Sequence, residues 1–439
     1  MTTTTHILRR RRFLPLFVTQ LLGAFNDNLY KTAMVLFVVY SVYHSEEAEG
    51  TFSAVASLVF IIPFFVFSAI SGQLADNRDK AKIIRIIKLC EIGIMLVGAA
   101  GLYLVWRGIA VNLVAIPLLM LALFAMGVHS TFFGPIKYAI LPQHLNEGEV
   151  LAGTGLVEAG TYIAILAGTI LAGWIPVEWA AAGVIVTAVI GYIAGRQVPP
   201  APPQQEPEPL DFHFLRASFD LVRKTLHDRR VWLAIMSISL FWAIGTVLFI
   251  HFPPLVKNNI HGTKEVASLF LVIFSVGVAI GSMAVNVLLK GKVSARFSPV
   301  SVIVMGLMVV AFYVIASSWP FEPGSQLHDP NVFLRQPLAI PLMLSLLGIA
   351  ISGGMFVVPL YAFLTTFVPK AQTARTIAAN NIVNSGAMVG GSIVVAGMTA
   401  LSIPILQQLL FSAALCLVSS WLARKLLAAE RDVEVTPAE

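Results

Sequence analysis

Apolar runs long enough to cross a bilayer recur along the whole chain, and this recurrence limits its fold more than any other feature. A hydrocarbon core takes roughly 20 consecutive apolar residues per helix. Runs of that kind lie near Phe13–Tyr43, Phe52–Ala75, Ile83–Val105, Val111–Phe133, Val150–Trp174 and Ala180–Gly195. A second set lies near Val231–Val256, Val266–Leu289, Val300–Trp319, Leu338–Phe367, Thr376–Ala400 and Ile403–Leu426. Without water, a backbone must satisfy itself within helices or a closed barrel, and these runs are continuous, not alternating. Of 439 residues only 12% are charged, whereas a soluble domain carries roughly a quarter. The expectation is an all-α membrane protein of 12 transmembrane helices in two six-helix bundles.

The net charge of +6 does not point to nucleic acid, because the Lys and Arg residues sit in short segments between the apolar runs. Arg9–Arg12, Arg78, Lys80, Lys82, Arg85, Lys88, Lys290, Lys292, Arg296, Lys370, Arg375, Arg424 and Lys425 collect on the side of Met1, and Arg107, Lys257, Lys264 and Arg335 on the other. The positive-inside rule then makes both termini cytoplasmic. The apolar stretch after Arg12 exceeds a signal-peptide core and lacks a small-residue cleavage site, so it reads as a permanent span. Cys90 and Cys416 lie in apolar runs with no metal or disulfide spacing, and read as packing residues. No phosphate loop, metal-spaced His and Cys set or His-x-x-x-x-Asp acyltransferase motif is present. Neither an enzyme nor a cofactor is expected.

Between the two sets of runs lies the Pro- and Gln-rich stretch Val198–Pro209, a spacer. The expected organisation is a six-helix bundle over 1–195, a cytoplasmic linker over 196–230, a second bundle over 231–426 and a tail over 427–439. In the linker, Leu215, Phe219, Val222 and Leu226 take one side of a helical wheel and Arg216, Asp220, Arg223, Lys224 and His227 the other, the pattern of a helix on a membrane surface. The halves repeat at an offset of about 225 residues: Gly134-Pro135-Ile136-Lys137-Tyr138-Ala139 echoes Val358-Pro359-Leu360-Tyr361-Ala362, and Leu156-Val157-Glu158-Ala159-Gly160 echoes Ile382-Val383-Asn384-Ser385-Gly386. Parallel repeats of this kind build one large class of transporters.

Charges inside a membrane are costly, on the order of 2.5 to 3.5 kcal/mol on insertion scales, and usually face a cavity. Asp27, Lys31, Glu91, Lys137 and Glu158 lie in or at the ends of first-half spans, whereas the second-half spans show only His251 as a titrating group. Gln20, Asp27 and Lys31 share a helix face. Asp27 and Lys31 either neutralise each other or line a hydrated cavity, and the flanking Asn26 and Asn28 argue for the cavity. Ser130, Gly134 and Lys137 share a face of the fourth span, with Lys137 after a Gly-Pro break; the alternative is a lysine snorkelling from a helix end. Gly160, Ala164, Gly168 and Ala172 form a small-residue ridge for close helix contact, repeated in the eleventh span by Gly386 and Gly390. Glu158 and Tyr162 lie off that ridge. Asn380, Asn381 and Asn384 supply neutral polarity in the second half, where Trp242, Phe249 and Met355 read as core more readily than as ligand contacts.

The loop Gly72-Gln73-Leu74-Ala75-Asp76-Asn77-Arg78-Asp79-Lys80 resembles the Gly-x-x-x-Asp-x-x-x-Arg/Lys signature of the major facilitator superfamily. A carboxylate there latches one conformation against a helix N-terminus, so Gly72, Asp76, Arg78 and Lys80 are gating candidates. Further blocks, Gly23-Ala24-Phe25-Asn26-Asp27-Asn28, Gly134 to Leu141, Gly155 to Thr161, Ser239-Leu240-Phe241-Trp242 and Gly353 to Leu360, jointly resemble the lysophospholipid transporter family of that superfamily. They are also similar to the transporter part of transporter/acyltransferase fusions. The resemblance implies the superfamily fold and flipping of lysophospholipids, especially lysophosphatidylethanolamine, across a bacterial inner membrane for reacylation, with a separate acyltransferase as partner and a monomeric transporter. It implies that Asp27 and Lys137 organise the headgroup, and Asn26, Tyr138, Glu158, Tyr162, Trp242, Asn380 and Asn384 complete the expected binding set. Where family members can carry an Arg after the Phe-Trp block, this chain reads Thr246-Val247-Leu248-Phe249-Ile250. Two other readings compete: a proton-coupled exporter of amphipathic drugs, with Asp27 or Glu158 titrating, and a membrane scaffold that positions an acyltransferase and moves nothing.

Overall fold

Hydrophobic continuity and internal backbone bonding together require long helices, and the computed structural model is built of them. It describes residues 7–203, 213–289, 294–320, 326–367 and 370–435. Within these, twelve helices of at least 20 residues occur: α1 Leu14–Ser41, α2 Glu46–Asn77, α3 Lys80–Trp106, α4 Ile116–Ala139, α5 Glu147–Trp174, α6 Val177–Arg196, α7 Arg229–Asn258, α8 Lys264–Leu288, α9 Ser298–Ser317, α10 Ala339–Phe367, α11 Lys370–Ala400 and α12 Ile405–Val435. Each falls on one of the expected spans. Nine are long and apolar enough to cross a membrane. The others are α1, diluted by Asn26, Asp27, Asn28 and Lys31; α3, which opens with Lys80, Lys82, Arg85 and Lys88; and α5, whose clearly apolar portion is Ile163–Trp174.

The Gly134-Pro135 pair does not break the fourth span, contrary to the sequence reading. α4 runs through Pro135 to Ala139, so Lys137 stands in its last turn. The irregularity lies at the other end, where Gly108 and Ala110 take positive φ and the π-helical turn Val111–Ala115 leads into α4.

The chain forms two compact units. One comprises Ile62–Ala217 and the chain up to Phe37; the other comprises Val38–Ile61 and the chain from Ser218. In the first, α3 packs on α4 and α6. Tyr30 of α1 is fully buried over Gly98 and donates to the Leu119 carbonyl at 2.9 Å. The ridge on α5 meets α1: a Cβ on Gly168 would stand 2.5 Å from the Phe25 carbonyl oxygen, and one on Gly160 2.8 Å from Phe17. In the second unit α7 packs on α11 and α12, and α10 on α8 and α9. Phe252, Phe270, Phe274 and Phe312 join edge to face through its core, and Phe249, 42% exposed, meets Phe252 and Phe274 at its margin.

The second small-residue ridge is displaced by one position from the expected one. A Cβ on Gly390 would meet nothing within 4 Å, whereas Gly391 lies against α7, its Cβ position 3.4 Å from the Ala243 carbonyl. One residue turns a helix by about 100°, enough to swap the buried face for the open one. The closest approach in this unit is α8 on α10, where a Cβ on Gly281 would overlap the Ile351 carbonyl and one on Gly354 the Val278 carbonyl.

The linker helix forms as Phe214–Thr225, burying Ser218 and Thr225 and leaving Arg216, Arg223 and Lys224 exposed. Phe219 is 65% exposed, so its apolar edge points away from the protein. Spacer residues 204–212 lie outside the described residues.

Gly281→Val should force α8 from α10 and lower stability by about 2 kcal/mol or more, whereas Gly390→Val should be nearly silent. Thermal unfolding of the two variants in detergent checks this, and equal losses would contradict the assignment of faces.

Candidate functional site

A lysine inside a helical bundle needs both a counter-charge and room for its long stem. Lys88 of α3 has both. It is 0% exposed, its Nζ stands 2.6 Å from Glu91 Oε2, and Glu91 is 1% exposed. The room comes from glycines: a Cβ on Gly23 would lie 2.8 Å from Nζ, and Gly191 and Gly195 of α6 border the same stem. The sequence reading had placed Lys88 with the loop cations. The helix turns it inward, because Lys88 and Glu91 are spaced i, i+3 on one face.

Glu91 is the hub of a wider network. Asn26 Nδ2 donates to Glu91 Oε1 at 2.9 Å, and His129 Nε2 lies 3.4 Å from Oε2. His129 stacks on Phe133, whose ring also carries the Lys88 ammonium at 5.4 Å. Ser130, adjacent to His129, donates to Asp27 Oδ2 at 2.5 Å. Three helices thus contribute Asn26 and Asp27, Lys88 and Glu91, and His129 and Ser130. Asp27 is half-buried, and its second oxygen finds no hydrogen-bond donor among the described residues. Lys31, one turn on, is close enough to act on Asp27 electrostatically. The arrangement offers acceptors and a cation within one unit, chemistry suited to a zwitterionic or anionic polar group. His129 and Lys88 were absent from the expected site; the signals present were a His-Ser pair inside an apolar run and the Lys88 to Glu91 spacing.

Of the remaining first-half candidates, Lys137 is half-buried at the end of α4. The side chains of Tyr138, Glu158, Tyr162 and Asp76 lie outside the described residues. Gly72 borders open space and Arg78 is exposed. Lys80 is buried, and its backbone N–H donates to the Ala201 carbonyl at 2.9 Å. The capping carboxylate in that loop is Asp79, which accepts from the N–H groups of Ala81, Lys82 and Ala201. Arg85 donates to the Val198 carbonyl, and a His144 ring nitrogen lies 3.3 Å from the Pro200 carbonyl oxygen. The start of the linker is therefore tied to the α2–α3 loop and to the turn Leu141–His144. Burial holds His144 below the ordinary histidine pKa, opposed by the nearby backbone carbonyls.

In the second unit the polar groups that meet between α7, α10 and α11 are neutral. Ser239 Oγ donates to Asn384 Oδ1 at 2.7 Å; Asn384 Nδ2 and Trp242 Nε1 both donate to the Tyr361 hydroxyl, at 3.3 and 2.8 Å. The structure thus joins two candidates, Asn384 and Trp242, through Tyr361, which sequence reasoning noted only as part of a repeat. Asn380 is buried one turn away. His251 bonds the Val247 carbonyl and Gln408 and is structural. One correction concerns charge: this unit has an ion pair, Lys257 Nζ to Glu49 Oε1 at 2.5 Å. Lys257 lies in the last turn of α7 and also donates to the Val39 and Tyr43 carbonyls at the end of α1. A cation there complements the helix dipole.

Two multi-helix membrane units, with an ionic network in one and a neutral amide cluster in the other, define a polytopic transporter. The chain belongs to the Major Facilitator Superfamily, which it matches over residues 16–392. It is 24% identical over 363 residues to the lysophospholipid transporter LplT of Klebsiella pneumoniae, covering 81% of each chain. It is 25% identical over 382 residues to LplT of Salmonella typhi, covering 85% of each. In fold it is similar to a D-xylose-proton symporter, with a TM-score of 0.68 at 13% identity over 95% of this chain and 98% of that one. A bacterial homologue of the iron transporter ferroportin gives 0.67 at 12% identity over 95% and 99%.

Lys88→Met should strand the Glu91 carboxylate and lower thermal stability by about 3 kcal/mol, with Lys88→Met/Glu91→Met recovering most of it; a double variant no better than the single would contradict the pairing. Because folding favours neutral His144, protonation of the unfolded form below about pH 6.5 opposes the fold. The linker anchor should loosen as pH falls from about 7.5 to 5.5, read as faster hydrogen exchange at Ala201 after correction for intrinsic rates. His144→Asn should abolish that dependence.

Proposed function

We propose that this chain is a lysophospholipid transporter of a bacterial inner membrane, moving lysophosphatidylethanolamine-like lipids by alternating access and supplying them for reacylation. The observation that carries the reading is the division of chemistry between units. A lysolipid has a phosphate, often an ammonium, and a single acyl chain. Lys31 and Lys137 match the first, Asp27 the second, and the aromatic and aliphatic second unit the third. Similarity to transporters named for lysophospholipids supports the same substrate class. In this reading all twelve long helices span the membrane, both termini are cytoplasmic, and residues 1–195 and 231–426 act as the two bundles. Residues 196–230 serve as a cytoplasmic linker and 427–439 as a tail. Glu158, Tyr138 and Tyr162 belong to the polar set, and Gly72, Asp76, Arg78 and Lys80 to a gate. The protein works as a monomer, delivers to a separate acyltransferase and catalyses no reaction itself.

A second reading, a proton-coupled exporter of amphipathic drugs, draws on the titratable chain from Asp27 through His129 to Glu91. Collapsing a proton gradient separates the two, since a flippase driven by its lipid gradient keeps working.

Purified protein in liposomes should accelerate lysophosphatidylethanolamine flipping well above protein-free vesicles. Asp27→Asn and Lys137→Ala should each lower the rate by roughly 10-fold, the scale of one charge-assisted contact. No acceleration by the wild type, or full activity in both variants, would overturn the proposal.

A further inference from the structure

Asn380 of α11 is 0% exposed, and neither its amide oxygen nor its amide nitrogen meets a hydrogen-bond partner among the described residues. An unmet buried amide costs on the order of 1–3 kcal/mol, and buried polar groups are nearly always paired. Its surroundings rule out simple misplacement in an apolar wall. One helical turn on, Asn384 is held by Ser239 at its oxygen and binds the Tyr361 hydroxyl through its nitrogen. The Trp242 indole donates to the same hydroxyl and is 36% exposed. The result is a built polar cluster from α7, α10 and α11, with an unsatisfied amide at one end and an accessible aromatic at the other.

The chemistry of an occupant follows from that inventory. A free amide offers both donors and an acceptor, so its complement both donates and accepts. No Lys, Arg or carboxylate takes part in these bonds, so they supply no counter-charge for a phosphate or an ammonium. An alcohol fits. A lysophospholipid differs from the diacyl lipids around it by one free glycerol hydroxyl, the position where the second acyl chain is missing. Resting on the lysophospholipid reading above, we infer that Asn380, one helical turn from the Asn384–Tyr361 pair, receives this hydroxyl and so selects lysophospholipids over diacyl phospholipids. An esterified oxygen keeps acceptor capacity but loses its proton, leaving the Asn380 carbonyl unmatched, and adds a chain where the amide sits. Tyr361 and Ser239 act as positioning residues, and Trp242 presents its ring to the glycerol.

The test uses wild-type protein in liposomes with two lipids, lysophosphatidylethanolamine and an analogue with hydrogen in place of the glycerol hydroxyl. The expected result is flipping of the analogue at least ~10-fold slower, since a site built to bond a hydroxyl rejects the molecule lacking it. Asn380→Leu should slow the natural lipid and bring the ratio of the two rates to about one. Equal wild-type rates for both lipids would overturn the inference while leaving the transport reading intact. An absence of any lysophospholipid flux would overturn both. If Asn380→Leu fails to fold, the wild-type comparison decides alone. An Asn380→Leu protein that is less stable but keeps the wild-type ratio would show a structural amide only.

Discussion

An ammonium in the interior of a membrane protein has to be neutralised where it stands, and the first unit is organised around that requirement. Lys88 and Glu91 close on each other at 2.6 Å, and the same carboxylate takes Asn26 from α1 and His129 from α4. Three helices are therefore registered by one buried carboxylate, and helix registration fixes the direction of Asp27 on α1. The Lys88 ammonium lies where a Cβ on Gly23 would crowd it at 2.8 Å, and Gly191 and Gly195 border its stem at ordinary contact distance. Ionic chemistry and glycine placement are here one design.

The second unit meets the same polarity problem without charge in its middle. Amide, hydroxyl, phenol and indole groups satisfy one another around Asn384 and Tyr361. The closest of its ion pairs among the described residues, Lys257 with Glu49, lies at helix ends, where it also caps α1. Neutral groups bind alcohols and esters, whereas fixed charges bind phosphates and ammonium groups. In the proposed reading, a substrate carrying both kinds of group gives each unit a distinct task.

Much of this was legible in the sequence, because membrane helices announce themselves by length and apolarity and are little altered by tertiary context. All twelve long helices among the described residues fall on predicted spans, and the α5 ridge followed from spacing alone. Features that depend on which way a helix faces were missed. Lys88 looked like a loop cation because Lys82 and Arg85 precede it, and Gly390 was preferred over Gly391 although one residue separates an open face from a packed one. Pro135 suggested a break, but α4 continues through it, and the Thr131 carbonyl that the proline leaves without its helical donor accepts from Ser71 Oγ at 2.9 Å. Asp79, which directly precedes α3, caps that helix, a role the sequence reading had not given it. Tyr361 bonds across helices, and such partnerships leave no trace in local spacing.

The central claim is that the first unit handles the charged headgroup. Photocrosslinking with a lysophospholipid whose reactive group replaces part of the headgroup, followed by peptide mapping, tests it directly. The account predicts labels on α1 and α4 near Asp27 and Ser130, lost on competition with unmodified lysophosphatidylethanolamine. Competable labels confined to α7, α10 and α11 would contradict it.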